Sequence, residues 1–311
     1  YYQGIISPAY TIMEPKEEIN PGYFRHLAKS RLFIDLLQMC VTGIREGQNI
    51  DYSKLKNHLI PVPPREEQDK IVRYLDWKLA KINKLIRAKK KQIALLNEQK
   101  QVIIHNAVTK GVDPNVPMKD SGIEWIGEIP AHWDIKQLSS LFCERKYKNR
   151  GNTEINVLSL SYGNIKKRNV ETNMGLLPES FETYNVIEPG NIVLRLTDLQ
   201  NDHKSLRCGF VKENGIITSA YVTLEKKNEI SGINTEYFYR LLHMFDIKKG
   251  FYGMGDGVRQ NLKFNGELNK LLIVIPTVTE QNEIVNYLNE KCEAIDKTVA
   301  IKEIGIQKLE K

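Results

Sequence analysis

One motif of 17 residues occurs twice in this chain, and the two copies are 213 residues apart. The first copy reads LIPVPPREEQDKIVRYL from Leu59, and the second reads LIVIPTVTEQNEIVNYL from Leu272. Nine of the 17 aligned residues are identical, and they include the pair Gln68 and Gln281. A solenoid repeat is much shorter than this period, so the pattern indicates a duplicated domain.

Shorter segments extend the duplication. They are GIISPAY at Gly4 with GIITSAY at Gly215, INPGYFRHL at Ile19 with INTEYFYRL at Ile233, and GIREGQNI at Gly43 with GVRQNL at Gly257. Both copies therefore have the same order of a strand, a short helix, a glycine-containing loop and a long helix that follows proline. Residues from about 121 to 211 have no counterpart before Tyr1, and the second long helix stops opposite Glu98 of the first. We therefore expect the first copy to lack its front part and the second copy to lack its end.

The first long helix is predicted from Pro63 to Lys110. Pro63 and Pro64 suit a helix entry, and Glu66 and Glu67 favour the positive end of the helix dipole. No proline or glycine follows until Gly111, which can form a left-handed cap. About 43 residues in one helix give a rod of roughly 65 Å.

Both long helices carry an apolar seam whose spacing alternates between four and three residues, which is a heptad pattern. The seam residues are Leu75, Leu79, Ile82, Ile86, Lys89, Ile93, Leu96, Lys100, Ile103 and Ala107 in the first helix, and Leu288, Cys292, Ile295, Val299, Lys302, Ile306 and Leu309 in the second. Lys89 and Lys302 interrupt the seam at matching positions. The pattern favours an antiparallel coiled coil within one chain. Pairing with another subunit and a solitary surface helix are the alternatives.

Composition limits the class of protein. The chain has 311 residues, enough for two domains, and a formal net charge of +7 that favours a polyanionic partner. Most of this excess lies on the first long helix: residues 66–110 contain eleven Lys and Arg against five Asp and Glu, a net charge of +6. The four scattered cysteines suit a reducing compartment, and neither a membrane span nor a signal pattern is evident, so we expect a cytoplasmic protein with no membrane contact.

Longer motifs resemble one family. The segment IPVPPREEQDKIVRYLDWKLAKINKLIRAKKKQIALLNEQKQ, followed by VTKGVDPNVPMKDSGIEWIGEIPAHW, resembles the central conserved region of DNA-specificity subunits of Type I restriction–modification systems. MKDSGIEWIGEIPAHW resembles the entry into a target recognition domain of that family, and LIVIPTVTEQNEIVNYL resembles its distal conserved region.

The resemblance implies an α+β fold in which two mixed α/β target recognition domains are joined by two long helices in an antiparallel coiled coil, with an internal pseudo-twofold repeat. It implies that each domain recognises one half of a bipartite double-stranded DNA target. It also implies two modification (methyltransferase) subunits and restriction (translocase and nuclease) subunits as partners. These partners would use S-adenosylmethionine, ATP and Mg²⁺, and this chain would bind no cofactor. The alternative is a coiled-coil assembly protein, or a truncated specificity subunit, without independent DNA recognition.

These expectations divide the chain into five segments. They are the C-terminal part of target recognition domain 1 at 1–62, the central long helix at 63–110, a linker at 111–120, target recognition domain 2 at 121–275, and the truncated distal helix at 276–311.

Within the second recognition domain the sequence predicts several local elements. INVLSLSYGNIKKR indicates two strands around a turn at Gly163, and EPGNIVLRLTDL indicates a buried strand from Ile192 to Leu196. RCGFVKENGIITSAYVTL predicts a β-hairpin with positive φ at Asn214-Gly215. Asn234 is expected to cap a helix whose aromatic residues belong to the core.

Three loops carry the side chains that DNA recognition needs, namely cations for phosphates and Arg, Lys, Asn or Gln for base edges. The candidate DNA-binding residues are Asn164, Lys166, Lys167 and Arg168 in the first loop; Gln200, Asn201, Lys204 and Arg207 in the second; Tyr252, Gly255, Gly257, Arg259 and Gln260 in the third; and Arg45, the repeat counterpart of Arg259. A solvated turn or a structural loop is the alternative for each of them.

Catalytic motifs are absent from the sequence. There is no G-x-x-x-x-G-K-[ST] phosphate loop, the six histidines lie in separate segments, and the cysteines form no C-x-x-C pair. We therefore expect no catalytic and no metal-binding residues, and a protein that selects where its partners act.

Overall fold

The computed structural model describes residues 4–7, 10–42, 49–168, 178, 180–202, 204–254 and 261–310. The chain divides into two compact units. Unit 1 comprises Tyr1–Gln92 with Glu303–Lys311, and unit 2 comprises Ile93–Lys302.

The α-helices within the described residues are α1 (Pro21–Leu27), α2 (Arg31–Met39), α3 (Tyr52–Leu55), α4 (Arg65–Lys110), α5 (Thr235–Ile247) and α6 (Val278–Glu310). The predictions of two long helices are confirmed by α4 and α6. Glu66 and Glu67 lie in the first turn of α4, and Gly111, just beyond its last residue, has a φ of 76°. Only glycine adopts this left-handed conformation without strain, so the predicted cap is confirmed.

Unit 1 has a small core on the first turns of α4. Asn20 caps α1 by accepting hydrogen bonds from the backbone N–H groups of Gly22 and Tyr23, and Ser30 caps α2. Strands β1 (Val41–Thr42) and β2 (Asn49–Ile50) pair antiparallel. The buried cluster contains Tyr23, Leu27 and Phe33, and Ile71 and Val72 of α4 pack against it.

Within unit 1, the last turns of α6 lie beside α4. Lys90 Nζ is 3.1 Å from Glu310 Oε1, and Ile306 is buried. Lys89 lies over Gly305, where an added Cβ would be 3.1 Å from Lys89 Nζ.

Within unit 2, the same two helices run antiparallel. Lys100 Nζ donates to both carboxylate oxygens of Asp296 at 2.7 Å. Ten residues further along α4, Lys110 lines a small cavity with Glu283 and Ile284 from the beginning of α6.

Burial along both helices follows the predicted seam. With one exception its residues are buried or half-buried, and most of the residues between them are exposed. Lys89 and Lys302 are half-buried at their matching positions. The exception is Leu79, which is 45% exposed. Glu310, the last described residue of α6, lies beside Lys90, which is about three turns further along α4 than Leu79.

Unit 2 contains the remaining described strands: β3 (Met118–Asp120), β4 (Glu128–Pro130), β5 (Asp134–Gln137), β6 (Phe142–Glu144), β7 (Leu158–Ser161), β8 (Asn164–Lys167), β9 (Asn185–Ile187), β10 (Ile192–Leu194), β11 (Cys208–Phe210), β12 (Gly215–Ile217), β13 (Val222–Lys226) and β14 (Leu272–Ile275). A four-stranded antiparallel sheet has the order β11-β10-β13-β6. The two-stranded pairs are β12-β9, β14-β5, β3-β4 and β7-β8. Strand β3 lies within the segment 111–120 that the sequence assigned to a linker.

The predicted hairpin between β11 and β12 is wrong. Strand β11 pairs with β10, whereas β12 pairs with β9, so the two strands belong to different sheets. Gly215 is not at a positive φ. A Cβ at Gly215 would be 2.6 Å from the carbonyl oxygen of Asn156, so this glycine permits a close approach of two backbone segments.

Helix α5 supplies much of the core of unit 2. Tyr237, Phe238 and Leu241 are completely buried, as the sequence predicted for the aromatics of this helix. The cap is confirmed, because the side chain of Asn234 accepts a hydrogen bond from the backbone N–H of Glu236. Trp133 is also fully buried, and its ring packs edge-on against that of Tyr237.

A buried glutamine joins each short helix to the following long helix. In unit 1, Gln68 accepts a hydrogen bond from the backbone N–H of Asn20 at 2.8 Å and donates to the carbonyl oxygen of Pro63 at 2.8 Å. In unit 2, Gln281 accepts from the N–H of Asn234 and donates to the carbonyl oxygen of Pro276, both at 2.9 Å. The duplicated sequence therefore builds the same hydrogen-bonded junction twice.

Candidate nucleic-acid interface

The second candidate loop is built around the side chain of Arg207. The guanidinium group donates to the carbonyl oxygens of Arg195, Thr197, Asp198 and Asp202 at 2.6–3.3 Å. Its Nε also donates to the hydroxyl oxygen of Tyr252 at 3.1 Å. Arg207 is fully buried, so the structure corrects the expectation of a direct DNA contact for this residue. Its side chain shapes the loop from the inside.

The backbone at Arg207 is fixed by a carboxylate from α5. One oxygen of Asp246 accepts hydrogen bonds from the backbone N–H groups of Arg207 and Cys208. Burial raises the pKa of Asp246 above its ordinary value, although these two hydrogen bonds act in the opposite direction. The other carboxylate oxygen of Asp246 is buried and has no hydrogen-bond partner among the described residues.

A second carboxylate closes the same loop. Asp202 accepts hydrogen bonds from the backbone N–H groups of Lys204 at 3.2 Å and Ser205 at 3.0 Å. The hydrogen bonds from Ser205 are the main reason that the pKa of Asp202 is lowered to about 2. The charged form of Asp202 therefore holds the backbone at Lys204, one of the candidate phosphate contacts.

The first candidate loop contacts the second one at Leu206. Tyr162 and Gly163 turn the chain between β7 and β8 with φ values of 47° and 77°. The backbone N–H of Gly163 donates to the carbonyl oxygen of Leu206 at 3.1 Å. A Cβ at Gly163 would be 2.9 Å from His243 and 3.1 Å from Leu206, so a larger residue would push the turn away from the second loop.

The third candidate loop is attached to the second on both sides. Before residues 255–260, the hydroxyl of Tyr252 donates to the carbonyl oxygen of Asp202 at 2.8 Å. After them, Asn261 Oδ1 accepts from the backbone N–H of Asp198 at 2.9 Å, and the N–H of Leu262 donates to the carbonyl oxygen of Leu196. The first loop, and the described residues on either side of 255–260, therefore all contact residues 195–208.

The candidate side chains differ in accessibility. The exposed ones are Asn164, Lys166, Lys167, Gln200, Asn201 and Lys204. Arg168 and Tyr252 are half-buried, and Asn201 also donates to Asp198 at 2.7 Å. Gly255, Gly257, Arg259, Gln260 and Arg45 lie outside the described residues.

A cleft of about 740 Å³ lies between the β7–β8 turn and the paired helices within unit 2. Its walls carry four cations (Lys100, Lys212, Arg240 and Lys297) and four acids (Glu213, Glu236, Glu293 and Asp296). Lys100, Arg240 and Lys297 are paired with Asp296, Glu236 and Glu293. The four positive and four negative charges cancel, so the cleft has no excess of positive charge that would attract a polyanion. Lys166, Lys167 and Lys204 lie on the loops instead, and they form no ion pair with any residue that the structure describes.

Three residues hold the fold in and next to this region, and none of them was assigned that role from the sequence. Asp246 lies near the end of an amphipathic helix, where a charged residue normally faces water. Glu280 accepts hydrogen bonds from Trp133 Nε1 at 3.0 Å and His132 at 2.9 Å, and so fixes the AHW segment to the first turn of α6. Gln281 carried a signal, because it is one of the identities between the two motif copies.

Two further kinds of site, a metal centre and a membrane span, can be checked among the described residues. They contain no group of three or more His, Cys, Asp and Glu side chains that could hold a metal ion. Among these residues, no helix combines the length and apolarity needed to cross a membrane.

Unit 2 is a mixed α and β domain packed on two long antiparallel helices. The chain also contains the same helical junction twice. Solved structures with a similar fold were found. Among solved structures, the HsdS subunit from Thermoanaerobacter tengcongensis has a TM-score of 0.51 at 16% identity, covering 94% of this chain and 68% of that one. A structure from work on complex assembly and conformational transition of the type I R-M system has a TM-score of 0.62 at 15% identity, covering 93% and 68%. These likenesses confirm the predicted fold class.

Sequence comparison finds individual proteins that are similar to this chain. The specificity subunit of the Type I restriction enzyme MjaVIII from Methanocaldococcus jannaschii is 26% identical over 329 aligned positions, which cover 99% of this chain and 71% of that protein. The putative type I restriction enzyme MjaX specificity subunit of the same organism is 32% identical over 129 positions, covering 40% of this chain and 28% of that protein. No protein-family profile matches the chain. The resemblance to specificity subunits of Type I restriction–modification systems that was predicted from the sequence is confirmed.

Proposed function

We propose that this chain is the DNA-specificity subunit of a Type I restriction–modification complex. The observation that carries the proposal is its similarity to the MjaVIII specificity subunit over 99% of its length. The proposal is also supported by the contacts that the first loop and the residues flanking 255–260 make with residues 195–208, the second loop predicted to contact DNA.

DNA recognition in this proposal belongs to the loops of unit 2. Lys166, Lys167, Arg168 and Lys204 would contact phosphates, while Asn164, Gln200 and Asn201 have the donor and acceptor groups that base edges require. Arg259 and Gln260 join this set as base-reading candidates. Arg45 is the equivalent candidate in unit 1.

The duplication supports recognition of a bipartite target. Each repeat would read one half of the site, and the paired helices α4 and α6 would fix the distance between the halves. The excess of positive charge on residues 66–110 supports an additional, sequence-independent attraction to DNA.

Catalysis in this proposal belongs to partner proteins. Two modification subunits would use S-adenosylmethionine, and restriction subunits would use ATP and Mg²⁺, while this chain binds none of these and works as their scaffold in the cytoplasm. The absence of a phosphate-loop motif from the sequence agrees with this division of labour.

A reconstitution experiment tests the proposal. The chain is purified with the methyltransferase subunit of its own system, and methyl transfer from S-adenosylmethionine to genomic DNA is measured with and without the chain. We expect sequence-selective methylation only when the chain is present. A complex that forms but shows no sequence preference would favour the alternative of a coiled-coil assembly protein.

Salt dependence of DNA binding by the same complex tests the loop assignment. Four phosphate contacts alone predict a slope of log K against log salt of roughly −3.6. Replacing Lys166 and Lys167 with alanine should reduce the slope by about 2. The matched control is the Lys226→Ala, Lys227→Ala pair at the end of β13, outside the three loops, which should leave the slope unchanged.

A further inference from the structure

We infer that Arg207 is a positioning residue for DNA recognition: its side chain sets the path of the second loop of unit 2 and ties that loop to Tyr252, and Asp246 fixes the backbone from which it extends. This inference rests on the proposed function. Arg207 and Asp246 are both fully buried, so they do not touch DNA themselves.

The hydrogen bonds of Arg207 leave no donor unused. A guanidinium group has five N–H donors in a fixed planar arrangement. In this structure Nε binds the hydroxyl of Tyr252, one terminal nitrogen binds the carbonyl oxygens of Arg195 and Thr197, and the other binds those of Asp198 and Asp202. One side chain thus determines the path of residues 195–202.

Another residue type cannot make this arrangement. Lysine has three donors on a tetrahedral nitrogen, so it cannot satisfy five acceptors that lie around a plane. A fully buried cation is also costly unless it is completely hydrogen-bonded. The burial of Arg207 and its five bonds therefore indicate that loop geometry is what this residue provides.

The second loop is bonded to the first loop through Leu206, the residue before Arg207, and to the described residues on either side of 255–260. The carbonyl oxygen of Leu206 holds the turn at Gly163, and Tyr252 connects Arg207 to the residues before the third loop. Asp198, whose positive φ of 56° is unusual for a non-glycine residue, is held by Arg207 at its carbonyl and by Asn261 at its N–H. Exposed Gln200, Asn201 and Lys204 follow directly after this turn.

Asp246 fixes the backbone at Arg207. Its carboxylate binds two consecutive backbone N–H groups, those of Arg207 and Cys208, and it is completely buried. Because these N–H groups are buried, loss of the Asp246 carboxylate would leave the backbone N–H groups of Arg207 and Cys208 without hydrogen-bond partners.

A residue that only stabilises the domain would behave differently from a positioning residue. Loss of stability lowers the amount of active complex and affects all target sites in the same proportion. A displaced reading surface changes the sequence that is recognised, and it does so for the half-site read by unit 2 while the other half-site is read as before.

The experiment maps methylated sites in cells that express the chain with the methyltransferase subunit of its system. The variants are Arg207→Lys and Tyr252→Phe, and their soluble amount and melting temperature are measured in parallel. Tyr252→Phe removes a single hydroxyl and keeps the ring, so it provides the test if Arg207→Lys does not fold. The matched control is Arg145→Lys, another buried arginine of unit 2, which binds Glu188, Glu225 and the carbonyl oxygen of Val186.

We expect both test variants to raise methylation at sites with one mismatch in a single half-site, relative to matched sites. The expected change is on the order of 10-fold for Arg207→Lys and about 3-fold for Tyr252→Phe. Arg145→Lys should lower stability and leave the recognised sequence unchanged.

The inference is overturned if the folded test variants methylate the wild-type sequence with wild-type selectivity, or if both half-sites lose selectivity equally. A wild-type chain that directs no sequence-selective methylation would instead refute the proposed function, so the two failures are distinguishable.

Discussion

The two copies of the duplicated motif have the same junction but different surroundings. Gln68 in unit 1 and Gln281 in unit 2 each connect a helix-capping asparagine to the proline-containing entry of a long helix. The short helix of unit 2 packs into a large core, whereas that of unit 1 packs into a cluster with three buried residues. The junction is thus encoded locally, and the core around it is not.

A second pair of matched segments shows why the surrounding core is not encoded locally. Ile216 and Ile217 are completely buried in β12, which pairs with β9. Their counterparts in the repeat, Ile5 and Ile6, are 105% and 54% exposed and are not in a strand. Nearly identical sequences therefore have opposite environments, because burial of a strand depends on partner strands from distant parts of the chain.

The largest expected difference between the units lies in their cores. Phe238→Ala should destabilise unit 2 by about 3–5 kcal/mol, because the ring is fully buried in a large cluster that cannot collapse around the cavity. Phe33→Ala should cost unit 1 about 2–3 kcal/mol, since its smaller cluster relaxes more easily. Hydrogen exchange followed by mass spectrometry measures each unit separately. Equal losses of protection would contradict the difference between the cores.

The two helix junctions should lose similar stability when their buried glutamine is replaced. Replacement of Gln68 or Gln281 with leucine keeps the volume of the side chain but leaves a buried backbone donor and acceptor without partners. Each change should cost about 2–3 kcal/mol. Hydrogen exchange in α1 and α5 reports the two losses, and Asn83→Ala on the exposed face of α4 is a control that should change neither. An effect in only one unit would show that the junctions are not equivalent.

The repeat also predicts a matched pair of DNA contacts. Arg259→Ala should weaken or relax recognition of one half-site by about 1–3 kcal/mol, and Arg45→Ala should do the same for the other half-site. Binding of the assembled complex to duplexes that vary in one half-site measures both. Unchanged binding and unchanged choice of methylation site would remove the substituted residue from the set of DNA contacts.

The smallest expected effect concerns the helix pair in unit 1. Gly305→Ala should stabilise α6 by about 0.5–1 kcal/mol, because alanine favours a helix and the added methyl group meets only the flexible end of Lys89. Thermal unfolding measures the change. Destabilisation would indicate that Lys89 is held rigidly over the glycine and cannot shift.

The sequence predicted those features that depend on neighbouring residues. The four-and-three spacing located the buried seam of α4 and α6, and Asn234 marked the beginning of α5. Non-local pairing was not predictable: β11 and β12 were assigned to one hairpin, although each finds its partner earlier in the chain. Arg207 was predicted to face DNA because its loop is polar. Its burial depends on carbonyl groups whose positions no spacing rule specifies.

The central claim is that this chain determines where its complex modifies DNA, and mapping of methylated bases in cells tests it most directly. Cells that express the methyltransferase subunit of the system with this chain should carry methylation at one bipartite sequence with two specific halves and a fixed gap. Without the chain, that pattern should disappear. The same methylated sites with and without the chain would contradict the account.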